Sequence, residues 1–356
     1  MEDFVMEKLL SVAKMFQLEG DVISVTPYGS GHINVTYLVV TDKKRYILQK
    51  INSNLFTEVD KLMNNIYLVT EHLKKKSPDK VVLTLVKTND NKPYLALGNE
   101  FYRVYDFIEN SVCLQIPRNT NEFYESAVSF GEFTNMLADF DATRLYEVLP
   151  NFHNTVIRYN NFLTSLEKNL SNRAHLAEPE ITFALARKDI TNKIVSLIEC
   201  GKMPLKVTHN DTKLNNVLLE EKTLKGLAVI DLDTVMPGSV CYDFGDSIRF
   251  GCNSSYEDEE DLDKVYFKMD MFEAYVKGYL SSMKDITKVE KEMLVDGAIL
   301  MTFECGIRFL SDFLDGDTYF KTTKVNHNLY RCRTQFKLVS EMEKHREEMV
   351  AIVNKY

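Results

Sequence analysis

Residues 209–216 of this chain read His-Asn-Asp-Thr-Lys-Leu-Asn-Asn. They place a carboxylate at Asp211 and an amide at Asn216, so one short loop can present both side chains to the same point. Farther along, residues 226–231 read Gly-Leu-Ala-Val-Ile-Asp, an apolar run of strand length that ends on a second carboxylate, Asp231. The sequence therefore predicts one site that holds two carboxylates and an amide.

Two carboxylates and an amide at this spacing suit the transfer of a phosphoryl group. That reaction needs little covalent help, because positioning the acceptor hydroxyl and neutralising the phosphate charge supply most of the catalysis. Asp211 is the candidate catalytic base, and Asn216 and Asp231 are candidate ligands for Mg²⁺, which prefers hard oxygen donors. The spacing is typical of a kinase catalytic loop, although Leu232-Asp233 follows Asp231 where Asp-Phe-Gly is usual. The alternative interpretation is a polar turn between two strands.

Composition and charge narrow the classes of partner. The net charge of −9 argues against a nucleic-acid or anionic-membrane partner, whereas a small phosphorylated ligand that arrives with Mg²⁺ is compatible with it. No apolar run approaches membrane-spanning length, and the N-terminus lacks the pattern of a signal peptide. Cys-x-x-Cys pairs are absent among the 6 cysteines, which favours reduced thiols. We expect a soluble, cytoplasmic protein, whose oligomeric state the sequence leaves open.

The chain divides into a β-rich part and a mostly helical part. Alternating patterns predict strands at residues 22–27, 35–41, 45–51, 81–87, 93–97 and 101–107. One helix interrupts them, with apolar residues recurring on a single face. These residues are Leu55, Val59, Leu62, Ile66, Val69 and Leu73. We predict an α+β, bilobal, protein-kinase-like fold, with a nucleotide-binding lobe over residues 1–108. A helical lobe over residues 109–356 would carry the catalytic loop, the Mg²⁺ site and the acceptor pocket.

A glycine-rich turn joins the first two predicted strands. Gly29, Ser30, Gly31, His32 and Asn34 fall where a kinase folds a loop over the nucleotide phosphates. Glycines allow the backbone to approach closely, so that its amide groups can bind phosphate oxygens. We predict phosphate contact at these residues, with His32 reaching the transferred group. A plain hairpin is the alternative.

Two further segments bear on nucleotide binding. Asp106, Phe107 and Ile108 fall at the expected hinge between the lobes, where backbone groups would hold adenine. Strand geometry puts Ile47 and Gln49 on one face of the third strand, because side chains alternate between faces. Ile47 would then line the adenine site, and Gln49 would stand where kinases use a phosphate-pairing lysine.

Three explanations of the missing lysine stay open. Gln49 contacts phosphate as a neutral donor, or Lys50 takes that place through a bulge, or the chain binds nucleotide without turnover. The complete set of Asp211, Asn216 and Asp231 argues against the last of these.

Longer strings of sequence carry a resemblance to a known family. They are residues 27–34 (Pro-Tyr-Gly-Ser-Gly-His-Ile-Asn), 207–216, 230–239, 242–247 (Tyr-Asp-Phe-Gly-Asp-Ser), 249–251 (Arg-Phe-Gly) and 304–310 (Glu-Cys-Gly-Ile-Arg-Phe-Leu). On these residues the chain resembles the aminoglycoside-phosphotransferase and choline-kinase-like superfamily. Within it, the chain is similar to the bacterial N-acetylhexosamine 1-kinases over nearly its whole length from Val22. That subfamily also lacks the lysine at the position of Gln49.

The resemblance implies an activity and an acceptor pocket. The activity is ATP-dependent phosphorylation of the anomeric hydroxyl of N-acetylglucosamine or N-acetylgalactosamine, with Asp211 as the base. The pocket would use Arg308 and Glu304 to contact the sugar, with Phe250 and Tyr319 as walls. Glu304 and Arg308 lie four residues apart, so they could instead form an ordinary ion pair on a helix surface.

Two alternative functions remain. One is a kinase of the same fold with another acceptor, such as a different sugar, an amino alcohol or an aminoglycoside. A cationic aminoglycoside calls for an acidic cleft, which Arg308 would oppose. The more distant alternative is a non-catalytic nucleotide-binding protein. Outside the predicted site, Asp243 and Asp246 flank a Phe-Gly pair and are expected to stabilise a tight turn.

Overall fold

The N-terminal part is built on an antiparallel sheet, in a computed structural model that describes residues 2–29 and 33–356. Its strands are β1 (Val22–Pro27), β2 (Val35–Thr41), β3 (Arg45–Lys50), β4 (Leu85–Val86), β5 (Leu95–Leu97) and β6 (Glu100–Asp106). Their order is β1-β2-β3-β6-β4, and β5 also pairs with β6. Each predicted strand is present, although β4 covers only a short piece of residues 81–87.

The register between β3 and β6 sets up the site. Pairing runs without a shift from Tyr46 opposite Asp106 to Lys50 opposite Tyr102, so Gln49 lies opposite Arg103. Side chains directly opposite each other on one face of an antiparallel pair are close enough to interact. The sheet therefore brings Gln49 and Arg103 together.

Two helices cover the faces of this sheet. Helix α1 (Glu2–Ala13) packs Leu9 and Val12 against the face that carries Val39. Helix α2 (Val59–Lys76) buries the predicted apolar face on the opposite side, against side chains of the helical part. The prediction of a single helix in this part was wrong, because α1 precedes the sheet. Helix α2 begins later than predicted, since Leu55 lies in the turn before it.

The rest of the described chain is mainly helical, as predicted. Its helices are α3 (Thr120–Met136), α4 (Thr155–Lys168), α5 (Glu178–Leu185), α6 (Lys193–Glu199), α7 (Val240–Gly251), α8 (Met269–Ser282), α9 (Lys288–Glu292), α10 (Leu294–Asp315), α11 (His327–Lys344) and α12 (Arg346–Lys355). Two small antiparallel sheets lie among them, with the orders β10-β9-β7 and β11-β8. Their strands are β7 (Ser111–Cys113), β8 (Lys206–Thr208), β9 (Val217–Glu220), β10 (Gly226–Val229) and β11 (Met236–Gly238).

Helices α7 and α10 approach each other closely under the small sheets. A Cβ atom on Gly245 would come within 2.4 Å of the Gly297 carbonyl oxygen, and one on Gly297 within 2.5 Å of the Cys241 carbonyl oxygen. Such short distances exclude any side chain larger than that of glycine at both crossing points. The close crossing brings together the helix that holds the predicted catalytic loop, α7, and the helix that carries Glu304 and Arg308, α10.

Two further observations concern membrane-spanning helices and the cysteines. Within the described residues, none of the helices is both long and apolar enough to cross a membrane. All 6 cysteines lie in the described part of the chain and are free thiols.

Candidate active site

The predicted catalytic loop, residues 209–216, lies between β8 and β9, and the side chain of its first residue, His209, holds it in place. The Nδ1 of His209 accepts a hydrogen bond from the Asp211 amide at 3.3 Å, and its Nε2 donates to the Ile230 carbonyl at 2.9 Å. The ring packs against Phe130 and Phe133, with centroids 5.5 and 6.0 Å away. His209 therefore ties this loop, called the 209–216 loop below, to the residue that precedes Asp231.

Two carboxylates on α7 hold the backbone of the same loop. Asp243 accepts hydrogen bonds from the amides of His209 and Asn210 at 2.8 and 2.7 Å, and Asp246 accepts one from Thr212 at 3.1 Å. Burial raises the pKa of Asp243 to about 6, although His209 and the two amides offset part of the rise. The predicted tight Phe-Gly turn was wrong, because both residues belong to a helix whose carboxylates point at the loop.

Asp211 and Asn216 lie side by side, as their spacing predicts. The Asn216 Nδ2 donates to the Asp211 carbonyl at 2.7 Å and to its Oδ2 at 3.1 Å. These bonds orient the amide and leave Asn216 Oδ1 without a partner among the described residues. Lys213 Nζ lies 2.7 Å from the other carboxylate oxygen of Asp211.

Lys213 places a positive charge beside the candidate base. Burial lowers the pKa of Lys213, but Asp211 and Asp246 outweigh burial and raise it to about 12. Lys213 is therefore cationic at neutral pH. A phosphate group that approaches Asp211 would meet this ammonium group, which the sequence analysis left without a role.

Asp231 follows β10 in a left-handed backbone conformation, with φ 60° and ψ 59°. Asp is one of the residues that tolerate this region. Desolvation of the carboxylate, together with the charges of Asp233 and Asp211, raises the pKa of Asp231 to about 6, while Arg103 and His209 lower it in part. Carboxylates that share a site repel each other, and a divalent cation offsets that repulsion.

The oxygen donors around Asp231 fit Mg²⁺. Mg²⁺ is usually bound by one or two carboxylates together with phosphate oxygens and waters. Within the described ranges, no group of three His, Cys, Asp or Glu side chains could hold a metal alone. The buried Tyr105 hydroxyl has no hydrogen-bond partner there, and burial with Asp233 and Asp231 raises its pKa. Asn216 Oδ1 and Asp231 would thus supply part of a coordination shell that a nucleotide completes.

Gln49, predicted at the position of the missing lysine, is bonded to Arg103 on the neighbouring strand. Arg103 donates from Nε and Nη2 to Gln49 Oε1, at 2.9 and 2.8 Å. Gln49 Nε2 in turn donates to Thr36 Oγ1 at 3.1 Å, so both ends of the amide are engaged. Phosphate contact by Gln49 stays a prediction. The alternative of a bulge that brings in Lys50 was wrong, since the register is continuous and Lys50 pairs with Glu100 at 2.6 Å.

Asp233 connects this pair to the segment that carries Asp231. One of its carboxylate oxygens pairs with Arg103 Nη1, and the other accepts a hydrogen bond from Asn34 Nδ2. Asn34 Oδ1 also accepts from the Asn52 amide at 2.9 Å. Asn34, predicted beside the phosphates, therefore lies where the N-terminal sheet meets the residues after Asp231.

The other predicted nucleotide contacts remain predictions. Gly29 has a φ of 74°, a conformation that favours glycine, while the calls on Ser30, Gly31 and His32 lie outside the described residues. At the predicted hinge, the amides of Asp106 and Phe107 are bonded to backbone carbonyls at 3.0 and 3.2 Å. The Ile108 carbonyl accepts a hydroxyl at 2.6 Å. Ile47 packs against the core between the sheet and α2.

Glu304 faces the 209–216 loop and does not pair with Arg308. Its carboxylate contacts His153 Nδ1 at 2.9 Å and Thr155 Oγ1 at 2.8 Å. His153 Nε2 contacts the Asn210 carbonyl at 3.2 Å, so the ring bridges Glu304 and the 209–216 loop. Burial would raise the pKa of Glu304, but His153 and then Arg308 outweigh it and lower the pKa. Glu304 thus supports the loop through His153, and sugar contact by Glu304 stays a prediction.

Arg308 and Tyr319, both predicted to contact the acceptor, lie close together; their surroundings are called the acceptor end below. The Arg308 guanidinium carbon lies 5.5, 6.0 and 5.6 Å from the ring centroids of Phe152, Tyr319 and Phe320. Among the residues that the structure describes, Arg308 forms no ion pair or hydrogen bond. Its guanidinium donors are therefore available to solvent or to a ligand, and sugar contact by Arg308 stays a prediction.

A second arginine stands next to Arg308. Arg158 Nε donates to the Phe152 carbonyl at 3.0 Å, and its guanidinium carbon lies 5.7 Å from the Phe152 ring. Burial and the charge of Arg308 lower the pKa of Arg158. In the described part of the chain, Phe250 makes no aromatic contact with this cluster, so its place in the pocket wall stays a prediction.

Four contributing residues escaped the sequence analysis: Arg103, His153, Arg158 and Lys213. A signal was present for Arg103, because aligning the predicted strands 45–51 and 101–107 as neighbours sets it opposite Gln49. Lys213 lies inside the predicted loop, and the demand for a cation near the phosphates could have singled it out. His153 and Arg158 carried no local signal, since their partners are distant in sequence.

The family match makes this chain a phosphotransferase, and its fold is shared with solved aminoglycoside phosphotransferases and a choline kinase. The sequence profile of the phosphotransferase enzyme family (APH) matches residues 24–277, more than half of the chain. The chain belongs to that family.

Solved structures of similar fold cover nearly the whole chain. A microcompartment-associated aminopropanol kinase is 15% identical, with a TM-score of 0.64 over 97% of this chain and 98% of its own. Spectinomycin phosphotransferase APH(9)-Ia, solved with ADP and spectinomycin, is 13% identical, with a TM-score of 0.62 over 96% and 98%. Choline kinase LicA from Streptococcus pneumoniae is 15% identical, with a TM-score of 0.51 over 100% and 99%. At these identities the likeness shows the fold, and it confirms the predicted α+β kinase-like class.

Proposed function

We propose that this protein is an ATP-dependent kinase of the anomeric hydroxyl of N-acetylhexosamines. It would convert N-acetylglucosamine or N-acetylgalactosamine to the sugar 1-phosphate and release ADP. The proposal depends on the resemblance in the quoted strings of sequence and on one structural observation, the arginine pair at the acceptor end. The division of the chain into a nucleotide-binding lobe over residues 1–108 and an acceptor-binding lobe over 109–356 is part of the proposal.

The arginine pair suits a neutral sugar. Arg308 has donors without partners among the described residues, and aromatic rings surround it. Hydroxyls and an acetyl carbonyl can accept from these donors, while the apolar C–H faces of a sugar pack against aromatic rings. Arg158 adds a second positive charge next to the first, and adjacent cations disfavour a cationic acceptor.

Asp211 performs the proton transfer in this proposal. It orients the anomeric hydroxyl and accepts its proton as the new oxygen–phosphorus bond forms. The bond between the γ-phosphorus and the bridging oxygen breaks, and ADP leaves with that electron pair. An anomeric hydroxyl is more acidic than an ordinary alcohol, because the ring oxygen withdraws electron density, so late proton transfer is sufficient. Lys213 offsets the charge of Asp211 and of the incoming phosphate.

Asn216 and Asp231 would hold Mg²⁺ against the phosphates. When bound, Mg²⁺ would neutralise the negative charge that develops on the phosphates. The chain contributes the orientation of both ligands. The Asp211 carbonyl and carboxylate fix the Asn216 amide, and His209 ties the loop to Ile230, next to Asp231.

The test is ADP release with ATP and Mg²⁺ across a panel of acceptors. The panel contains N-acetylglucosamine, N-acetylgalactosamine, their 1-O-methyl glycosides, aminopropanol, choline and one aminoglycoside. We expect turnover of the free sugars and none of the blocked glycosides, since the blocked sugars lack the reacting hydroxyl. Activity on the blocked sugars, or on the amines alone, would reject the substrate assignment while leaving a kinase.

Two variants separate a kinase from a non-catalytic nucleotide-binding protein. Asp211→Ala should abolish sugar-dependent ADP release, and Asp231→Ala should abolish the part that depends on Mg²⁺. An Asp231→Ala protein that turns over at near-native rate would remove Asp231 from the mechanism. Wild-type protein that binds ADP without any turnover on the panel would favour the non-catalytic alternative.

A second candidate, a kinase of cationic acceptors, draws on one cavity. A cavity of about 360 Å³ is lined by Asn210 of the 209–216 loop and by His153, Glu147 and Glu199. Carboxylates at a cavity wall suit an amino alcohol or an aminoglycoside. Both are exposed side chains, whereas Arg308 and Arg158 are half-buried, so we rank the neutral sugar first. The amines in the panel test this candidate directly.

A further inference from the structure

Arg103 is a buried charge that the proposed chemistry leaves without a task. It is 1% exposed and lies in the interior of the N-terminal sheet, on β6. Its guanidinium contacts Gln49 Oε1 twice, Asp233 once and the Met63 sulfur at 4.0 Å. Burying an arginine is unfavourable unless its charge is paired and its N–H groups are hydrogen-bonded, and these neighbours meet both needs.

The contacts of Arg103 run from the sheet to the segment that carries Asp231. Asp233 receives Arg103 on one carboxylate oxygen and Asn34 on the other, and both donors belong to the N-terminal part. Asp233 sits in a single turn of 3₁₀-helix, Leu232–Thr234, directly after Asp231. The contacts of Asp233 therefore hold the backbone two residues from Asp231.

The same segment has a second attachment farther along. Asn65 on α2 donates to the Val235 carbonyl at 3.0 Å, and the Leu232 and Val235 side chains are buried in the core beneath α2. Residues 231–235 are thus bound to the N-terminal part at Asp233 and at Val235. Of these two attachments, only the one at Asp233 is ionic, and it is the nearer to Asp231 in sequence.

We propose that Arg103 is a positioning residue for the metal-binding carboxylate. By holding Asp233 against the sheet, it fixes Asp231 at the distance and angle that Mg²⁺ and the nucleotide require. This inference rests on the proposed function, because it assumes a metal–nucleotide complex at Asp231. In this proposal Arg103 acts through Asp233 and makes no contact of its own with metal or phosphate. Arg103 thus places a positive charge behind the site and is linked to it by Asp233. In other kinases a lysine on β3 supplies the positive charge near the phosphates.

The chemistry of the side chain explains why an arginine stands here. A guanidinium presents five donors in a planar fork, and this one uses Nε and Nη2 on Gln49 and Nη1 on Asp233. A lysine ammonium is a point charge on a flexible stem and cannot fix two partners in one plane. Gln49 then orients the fork, which gives the neutral residue on β3 a role without phosphate contact.

The test measures metal binding, apart from turnover. The main variant is the double substitution Arg103→Met/Asp233→Asn, because removing both partners leaves no unpaired buried charge. Mn²⁺ is titrated calorimetrically into ADP-saturated protein, and ADP affinity is measured separately in EDTA. We expect Mn²⁺ binding to weaken about tenfold or more, as is typical when a residue that orients a metal ligand is lost. ADP affinity without metal should change less than the Mn²⁺ affinity.

Two further variants sharpen the result. Arg103→Lys should recover only part of the Mn²⁺ affinity of the wild type. Arg187→Met is the matched control, since it breaks a different arginine–carboxylate pair, in which Arg187, two residues after α5, donates to Glu343 on α11 at 2.9 and 2.8 Å. It should lower the melting temperature without changing Mn²⁺ binding, and a merely structural role for Arg103 predicts the same pattern for the double variant.

Each outcome decides between the two proposals. Native Mn²⁺ affinity in the folded double variant would overturn the role of Arg103 and leave the proposed function intact. Wild-type protein that binds no Mn²⁺ with ADP would overturn both. If the double variant does not fold, Gln49→Leu removes the acceptor of two Arg103 hydrogen bonds while keeping the ion pair. It should weaken Mn²⁺ binding about threefold or more, and an unchanged affinity in that variant would also overturn the proposal.

Discussion

The phosphate end and the acceptor end of the candidate site are built in opposite ways. At the phosphate end, hydrogen bonds fix the parts before any ligand arrives, through Asp243 and Asp246 to the loop backbone and through Arg103 to Asp233. At the acceptor end, Arg308 has aromatic neighbours and no hydrogen-bond partner among the described residues. The backbone at the phosphate end is thus held by the protein itself, whereas the guanidinium at the acceptor end has no such support among the described residues.

This difference separates chemistry from choice of substrate. Transfer of a phosphoryl group tolerates little misplacement, so the groups that perform it are held from several sides. Recognition of an acceptor needs hydrogen-bond donors that the protein itself leaves free. Keeping a partly buried cation without a protein partner is energetically unfavourable until the acceptor binds. Changes at the phosphate end should therefore reduce the rate for every acceptor, while changes at the acceptor end should alter the affinity for one.

The largest effect is expected for Asp211→Asn at the phosphate end. The amide keeps the size of the side chain but cannot accept the proton, so kcat should fall about 10³-fold, within the range for loss of a general base. ADP affinity, measured by calorimetry, should stay near that of the wild type. A kcat above one tenth of the wild-type value would show that Asp211 only orients the acceptor.

Asp243→Asn tests the support of the loop from behind. The carboxylate accepts from two amides, and an amide side chain would turn an NH₂ group toward one of them. We expect a loss of about 1–3 kcal/mol in the free energy of unfolding, the usual result of a buried donor without a partner. A tenfold loss of kcat should accompany it, about 1.4 kcal/mol in the barrier.

Asp139→Asn is the matched control for Asp243→Asn. Asp139 is more than half exposed and bonds to Lys76 at the surface, so chemical denaturation should show little change. Equal effects of the two substitutions would mean that the α7 carboxylate does not support the loop.

Arg308→Leu moves the test to the acceptor end. Loss of one hydrogen bond from a charged group is worth about 1.5–3 kcal/mol, so the KM for the sugar should rise about 10- to 100-fold. Neither kcat at saturating sugar nor the KM for ATP should change much. Arg158→Leu should act in the same direction with a smaller change, since Arg158 already donates to the Phe152 carbonyl. If Arg308→Leu lowered kcat and left the sugar KM alone, the division between the two ends would be wrong.

The smallest effect is a pH dependence behind the phosphate end, at Glu100. Hydrogen bonds from Lys50, Lys8 and Tyr102 lower its pKa from 4.5 to about 2. Because the pKa is depressed in the folded protein, Glu100 contributes stability above pH 4.5, and that contribution is lost as the pH falls toward 2. Glu100→Gln should therefore flatten the fall in melting temperature over this interval.

The same variant sharpens the comparison between the ends. Lys50 pairs with Glu100 away from the phosphates, so Glu100→Gln should leave kcat unchanged. A changed kcat would indicate that Lys50, released from its partner, reaches the nucleotide.

The two ends also differed in how far the sequence predicted them. Asp211, Asn216 and Asp231 were found together because their chemistry demands oxygen donors at a fixed spacing along the chain. Periodicity gave α2 and the strands for a similar reason, since each is a local pattern. Arg103 and His153 act through partners that are 130 and 151 residues away, and such contacts exist only after the chain has folded. Helix α1 was missed because nothing in the catalytic motif requires it.

Helix α10 carries one residue of each kind, a single turn apart. Glu304 reaches back through His153 to the loop, and Arg308 lies four positions later beside Phe152 and Tyr319. One helical turn is about 5.4 Å, so the same helix supports the 209–216 loop through one side chain and presents a candidate acceptor-binding side chain one turn later. To change the acceptor of this enzyme, a designer could therefore replace Arg308 and keep Glu304. We expect the position of the 209–216 loop to stay the same.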